Sequence, residues 1–285
     1  MRAFSLRTPL GELAALSNDR KGPRVLALHG WLDNAASFLP LAPHLGDVEL
    51  VAIDLPGHGH SAHLGAGGDY SFAGSIASVL DAADALGWDR FRLLGHSMGG
   101  AIASLVACAC PERVERLATI EALGVLTEAP ERTGARLHEA VAAQRALKGK
   151  HLRVFPDIDS AVQARFAALR APGAGLEPEL LRLLVERGVR PVDGGFVWSS
   201  DPRLTLPTLV RMTQAQADDL LAGIECPTLV LFADPPQPYL PDAERRRRVA
   251  ALPKGRMEVL AGGHHLHMQQ PARVAAVIAP FLHQE

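Results

Sequence analysis

The stretch Phe91-Arg92-Leu93-Leu94-Gly95-His96-Ser97-Met98-Gly99-Gly100-Ala101-Ile102-Ala103-Ser104-Leu105 changes character at its centre. Residues 91–94 read as a short strand buried on both faces. Residues 100–110 repeat apolar positions at helical spacing. Between them Gly95-His-Ser-Met-Gly99 makes a sharp strand-to-helix turn. Glycine two residues either side of Ser97 lets the backbone bend without steric clash, so the serine sits strained and exposed at the crest. Its hydroxyl then lies at a helix N-terminus, where amide N–H groups and the helix dipole favour developing negative charge. This is the residue pattern of a nucleophile.

Working outward, residues 25–28 form another apolar run that ends in His29-Gly30-Trp31. An oxyanion formed at Ser97 needs two N–H donors. The expected pair is the amide of Met98 and the amide of Trp31, from the loop after this strand. Asp54-Leu-Pro-Gly57-His58-Gly59-His60-Ser61 follows a further strand and reads as a tight structural loop on the same sheet edge. Toward the C-terminus, residues 256–260 run into Gly262-Gly263-His264-His265-Leu266-His267-Met268, with Pro271 beyond. A histidine on a glycine-rich loop at a strand end fits the general base of acyl transfer. Three histidines in four positions also raise a metal site. No carboxylate or cysteine lies at ligand spacing, and recruiting His58, His60 and His63 invokes a site nothing else requires, so no metal or other cofactor is expected.

Short strands at 25–28, 48–53, 91–94, 114–120, 228–232 and 256–260 alternate with helices at 71–86, 100–110, 242–252 and 272–282. That rhythm predicts an α/β fold, a mostly parallel central sheet flanked by helices. Residues 3–6 and 13–16, around Pro9-Leu-Gly11, read as an antiparallel hairpin at the sheet edge. Between about 125 and 208 strand-like runs vanish. Amphipathic helices at 131–147, 160–169 and 177–187 take over, punctuated by Pro172-Gly-Ala-Gly175, Gly188 and Asp193-Gly-Gly195. The expected division is a core of residues 1–124 and 209–285 with a helical lid inserted at 125–208. Arg245 to Arg248 reads as the solvated face of a surface helix.

Over 285 residues, 29 Lys and Arg against 31 Asp and Glu leave a formal charge of −2, which argues against nucleic acid as a partner. With 48% hydrophobic and 21% charged residues the chain is compositionally globular, and long enough to bury a core without staples. Cys108, Cys110 and Cys226 are odd in number and apolar in context, which predicts reduced core thiols in a cytoplasmic protein. The N-terminal residues lack the apolar stretch of a secretory signal, and no uncharged run is long enough to span a membrane.

These motifs together resemble the α/β-hydrolase superfamily over essentially the whole chain. The resemblance rests on His29-Gly-Trp31, Asp54-Leu-Pro-Gly-His-Gly-His-Ser61, Gly95-His-Ser-Met-Gly-Gly100, and Gly263-His264 with Pro271 seven residues on. His29-Gly-Trp-Leu-Asp-Asn34 with Ser37-Phe38, and His264-His-Leu-His-Met268, look like the serine-hydrolase-like branch. The family spacing to the proline selects His264 as base over His265 and His267. The family acid usually follows the penultimate strand, but that position holds Pro236, and Asp234 comes two residues early. Ile120-Glu121-Ala122 ends the strand after the nucleophile helix, where one group of haloalkane dehalogenases carries a glutamate acid. The resemblance therefore implies Glu121 as the acid, with Asp234 second. Family dehalogenases and epoxide hydrolases attack with aspartate, so Ser97 excludes both mechanisms.

The expected activity is hydrolysis of a small-molecule carboxylic ester through an acyl-enzyme on Ser97. A thioester or carbon–carbon substrate for the same residues, and a non-catalytic ligand-binding member of the fold, are the alternatives. Phe38, Phe155, Phe166, Phe196 and Trp198 are candidates to line the substrate pocket with Trp31.

Overall fold

Val25, Leu26, Ala27 and Leu28 are each 0% exposed, as a strand sandwiched between two helical layers must be. A computed structural model describes residues 1–147, 152–168 and 175–284. The chain opens with the hairpin β1 (Arg2–Thr8) and β2 (Gly11–Ser17). It continues through β3 (Arg24–Leu28), β4 (Glu49–Ile53), α1 (Ser75–Ala85), β5 (Phe91–His96), α2 (Met98–Ala109) and β6 (Val114–Ile120). The inserted segment then supplies α3 (Thr133–Leu147), α4 (Ile158–Ala168), α5 (Pro178–Gly188), β7 (Val189–Val192) and β8 (Gly195–Trp198). The core resumes with α6 (Gln214–Ala222), β9 (Thr228–Asp234), α7 (Asp242–Ala250), β10 (Gly255–Ala261), α8 (Leu266–Gln269) and α9 (Pro271–His283).

Eight strands form one sheet in the order β1-β2-β4-β3-β5-β6-β9-β10. The hairpin β1–β2 is antiparallel and β2 meets β4 antiparallel; from β4 to β10 all neighbours are parallel. Side chains alternate between the two faces with the period of a strand. Leu26, Leu28, Leu93, Val230 and Phe232 pack with residues of α1, α2 and α6. Val25, Ala27, Leu94, Leu229 and Leu231 pack with α9 and the segment around Phe38.

Four details differ from the sequence expectation. The first helix starts at Ser75, four residues later than expected. The insertion does contain strands: β7 and β8 pair antiparallel, turning at Asp193-Gly194, with Gly194 at φ 80 and Gly195 at φ 145. Two four-residue strands are too short to show a period in sequence, and the glycines that read as loop punctuation make their turn. Helix α6 is absent from the periodicity pattern, although Thr213 and Gln216 form a capping box at its start. Of the three thiols only Cys226 is buried; Cys108 and Cys110 are half-buried at the end of α2, and all three are free. Leu169 and most of Pro172-Gly-Ala-Gly175 lie outside the described residues.

Candidate active site

Strand β3 has β4 on one side and β5 on the other, so the chain reverses direction across the sheet at this point. Such a switch point opens a crevice beyond the C-terminal ends of the strands. Ser97 stands there, between β5 and α2, with φ 51 and ψ −116. Its amide donates to the carbonyl of Ile120 at 2.9 Å, which holds the strained turn against β6. A Cβ on Gly99 would lie 2.0 Å from the Leu28 carbonyl oxygen, and one on Gly95 would lie 2.5 Å from the Cα of Gly100. Glycine is required at both places because backbone passes where a side chain would begin. Met98 is the first residue of α2, so its amide has no acceptor within the helix.

The loop after β10 brings in the histidines. The amide of Gly262 donates to the Asp234 carbonyl at 3.0 Å, tying this loop to the end of β9. His264 Nε2 lies 2.9 Å from Ser97 Oγ, and its Nδ1 lies 3.2 Å from Glu121 Oε2. An ionised carboxylate only accepts, so Nδ1 carries the ring proton and Nε2 presents its lone pair to the hydroxyl. His265 turns the other way, with Nε2 3.0 Å from Asp33 Oδ2. His267 is fully buried beside Phe38 at a ring separation of 5.6 Å. Burial, reinforced by His265, holds the His267 ring well below the ordinary histidine range. Of the three, His264 is the one on Ser97.

Glu121 follows β6 with φ 59, its amide donating to Leu231 O at 2.9 Å. Its side chain is 0% exposed. Oε1 accepts from the amide of Ala233 at 2.6 Å and from Arg245 Nη2 at 3.4 Å. Asp234 has an exposed side chain at the end of β9, and the carboxylate on His264 is that of Glu121.

Arg245 overturns the reading of residues 245–248 as a solvated face. Arg246 and Arg247 are exposed, whereas Arg245 is 1% and Arg248 4% exposed. Arg245 donates from Nε to Leu240 O at 3.0 Å and from Nη1 to Ala233 O at 2.6 Å, with its guanidinium 4.5 Å above the Phe232 ring. Arg248 Nη1 bonds the carbonyls of Leu123 and Val125 at 2.8 and 2.9 Å, fixing the chain just after Glu121. Burial of these charges is tolerated because carbonyls and a carboxylate meet their N–H groups. The sequence signal was the three-residue spacing, which puts Arg245 and Arg248 on one side of a helix whose other arginines face water.

A cavity of about 660 Å³ opens beside Ser97, Met98 and Glu121. Its walls include Trp31, Tyr70, Phe72, Leu126, Ala140 and Tyr239. Burial, together with the charge of Glu121, pushes the Tyr239 hydroxyl up to about 12. The aromatic residues expected to line the pocket lie elsewhere. Phe38 is buried under the sheet in the α9 layer. Phe155, Phe166, Phe196 and Trp198 build the insertion's own core, with Phe155 edge-on to Trp198 at 5.2 Å. A short amphipathic segment buries its aromatics against itself before it has any to spare for a pocket. Trp31 does face the cavity; it is 54% exposed, and its Nε1 donates to Leu204 O at 2.9 Å.

Two buried carboxylates fasten the insertion to the core. Arg165 of α4 donates to Asp33 Oδ1 at 2.8 Å, and Arg187 of α5 meets Asp54 at 3.0 Å. Desolvation alone would raise the Asp33 carboxyl, but His265 and Arg165 outweigh it and hold it well below the usual carboxylate range. Asp54 also accepts from the amides of Ala35 and His60, each at 2.8 Å, which makes the loop after β4 structural.

Comparison with known proteins follows the same lines. A family model described as the alpha/beta hydrolase fold matches residues 23–271. A serine hydrolase-like protein of Danio rerio is 32% identical over 290 residues, covering 98% of this chain and 87% of that one. Among solved structures, a hypothetical protein of Pseudomonas aeruginosa PAO1 superposes with a TM-score of 0.91 at 41% identity over all of both chains. The thioesterase domain from the curacin biosynthetic pathway superposes with a TM-score of 0.84 at 25% identity, over 98% of this chain and 99% of that one. No helix among the described residues is long and apolar enough to cross a membrane.

Proposed function

The chain belongs to the α/β-hydrolase fold family, and on that premise we propose that it is a serine hydrolase cleaving carboxylic esters through an acyl-enzyme on Ser97. The observation that carries this reading is the line from Ser97 Oγ to His264 Nε2 at 2.9 Å and from His264 Nδ1 to Glu121 at 3.2 Å, at the wall of a 660 Å³ cavity. Ser97 attacks the ester carbonyl as His264 takes its proton. His264 then returns that proton to the departing alkoxide, and water repeats the two steps to release the acid. Glu121 holds the imidazole in the required tautomer and balances its charge. The amides of Trp31 and Met98 receive the oxyanion, each worth roughly 2.7–4 kcal/mol in comparable sites. The insertion serves as the lid over the cavity, and no metal takes part in the chemistry.

A thioester is the second reading, favoured by the likeness to the thioesterase domain over almost the whole chain. The same steps apply, with a thiolate leaving. The test has two arms. A fluorophosphonate probe is expected to label wild-type protein and not Ser97→Ala; absence of labelling means a non-catalytic member of the fold. Turnover of a graded series of acyl phenyl esters is then compared with matched thioesters. Faster cleavage of the thioesters throughout the series replaces the ester assignment.

A further inference from the structure

Next to the Ser97–His264 pair, among residues that do not line the cavity, a second set of groups converges. Asp33 and His265 come from two loops and His96 from the end of β5, and each offers one donor atom, all within 4.8 Å of one another. They are 4%, 0% and 6% exposed. A Cβ on Gly30 would stand 3.0 Å from both Asp33 Oδ2 and His96 Nδ1, so these two atoms point to the same spot. His265 Nε2 reaches Asp33 Oδ2 from the other side at 3.0 Å.

The hydrogen bonds assign the protons. His96 Nε2 lies 2.8 Å from the carbonyl oxygen of His264, which only accepts, so the His96 proton is on Nε2 and Nδ1 keeps a lone pair. Among the described residues that Nδ1 is buried without a partner, and so is Nδ1 of His265. The unmade bond at His96 Nδ1 costs about 1–3 kcal/mol and a ligand there would supply it; Nδ1 of His265 stays outside the donor set. Arg165 engages Asp33 Oδ1 at 2.8 Å and leaves Oδ2 facing the rings.

We propose that Asp33 Oδ2, His96 Nδ1 and His265 Nε2 bind a divalent transition-metal ion, zinc in the first place. Two imidazoles and one carboxylate suit zinc and cobalt, whereas magnesium and calcium take all-oxygen shells. Three protein donors leave a fourth position for water. Binding through His265 Nε2 requires the other tautomer, which moves the ring proton to Nδ1, where no acceptor lies among the described residues, so the metal–nitrogen bond has to outweigh that unpaired donor. The His96 Nε2–H to carbonyl bond and the Arg165–Asp33 pair are outer contacts of the kind that orient metal ligands. Ser97, His264 and Glu121 are not among the donors. The ion's role is to tie the loop of Trp31, the turn before Ser97 and the loop of His264 into one rigid unit.

The test titrates EDTA-treated full-length protein with Co²⁺ and then with Zn²⁺, reading metal content, visible absorption and unfolding temperature. The expected result is one Co²⁺ per chain with the spectrum of a low-coordinate nitrogen and oxygen site, displaced by Zn²⁺. The unfolding temperature should rise with free Zn²⁺, as binding to the native state alone requires. His265→Gln and Asp33→Asn should each weaken binding by at least about tenfold, while His264→Ala binds as wild type. The proposal is overturned by absence of stoichiometric binding in wild type, by unchanged affinity in both ligand variants, or by loss of binding in His264→Ala. If either ligand variant does not fold, the wild-type titration and the other variant decide. None of these readouts involves turnover, so they stand or fall apart from the ester assignment.

Discussion

Glu121 and Asp33 make the same three-part arrangement twice within one site. Each is a buried carboxylate bonded to one of two consecutive histidines, His264 and His265, and each is paired with an arginine, Arg245 and Arg165. The difference lies at the far ends. His264 turns its second nitrogen to Ser97 Oγ beside the cavity, while the second nitrogen of His265 meets no partner among the described residues. Arg245 comes from the core and spends its remaining N–H groups on backbone carbonyls, whereas Arg165 comes from the insertion and leaves Nε unbonded. A carboxylate–imidazole pair gains acid–base chemistry only when a hydroxyl and room for substrate stand at its other end. Without them the same pair serves as a clamp.

The comparison breaks first at the hydroxyl. Ser97→Ala is expected to leave the fold intact by circular dichroism and to lower ester turnover by about 10⁶; a tenth of wild-type activity in material free of contaminating esterase would contradict it. Next come the two histidines. His264→Ala should be nearly inactive, and His265→Ala and His267→Ala should keep measurable turnover on the same phenyl ester. The carboxylates follow. Glu121→Gln keeps size and removes charge, so kcat should drop by roughly 10³–10⁴, against less than about tenfold for Asp33→Asn and for Asp234→Asn. Greater damage in Asp234→Asn than in Glu121→Gln would reassign the acid.

The arginines separate positioning from clamping. Arg245→Met should lower kcat by about 10²-fold with KM little changed, because Glu121 loses its fixed position, and Arg245→Lys should recover part of it. Arg165→Met should instead leave kcat nearly untouched while losing stability, by up to about 3–5 kcal/mol for a broken buried pair. Equal kcat values in the two Met variants would erase the distinction. The smallest effect is a pH dependence. Asp33 is held well below the usual range in the folded chain. Its contribution to stability is therefore complete above the unfolded carboxyl value of about 3.9 and is lost as pH falls through the folded one. Denaturant midpoints of wild type and Asp33→Asn should differ at neutral pH and converge in acid; a gap that widens on acidification would reverse the sign.

What sequence alone reveals follows the range of the constraint. Ser97, Gly95 and Gly99 are legible because a sharp turn imposes its needs within five residues. The buried parallel strands are legible because both faces demand apolar side chains. His264 and Glu121 are 143 positions apart, and it is the family pattern rather than any local rule that picks them out. Arg245 leaves only a weak trace, its three-residue spacing from Arg248, and the group of Asp33, His96 and His265 leaves none. A single charged residue looks the same in sequence whether it faces water or a buried carboxylate, and donors from two loops and a strand end have no common spacing. The pocket aromatics are illegible for a related reason. An apolar ring such as Phe155, Phe166 or Trp198 announces that it will pack, without saying against what.

Ser97 and Glu121 share a backbone feature that bears on how such a chain ages in evolution. Both are non-glycine residues at left-handed φ, 51 and 59, on adjacent strand ends. Backbone held there is strained by about 1–3 kcal/mol per residue, kept in place by the sheet bonds to Ile120 and Leu231. Glycine at either position relieves that strain, offset in part by about 0.5–1 kcal/mol of added freedom in the unfolded chain. Mutational drift toward a sturdier fold thus runs downhill away from the serine and the glutamate. Keeping a serine and a glutamate side by side there carries a folding cost that glycine would lessen.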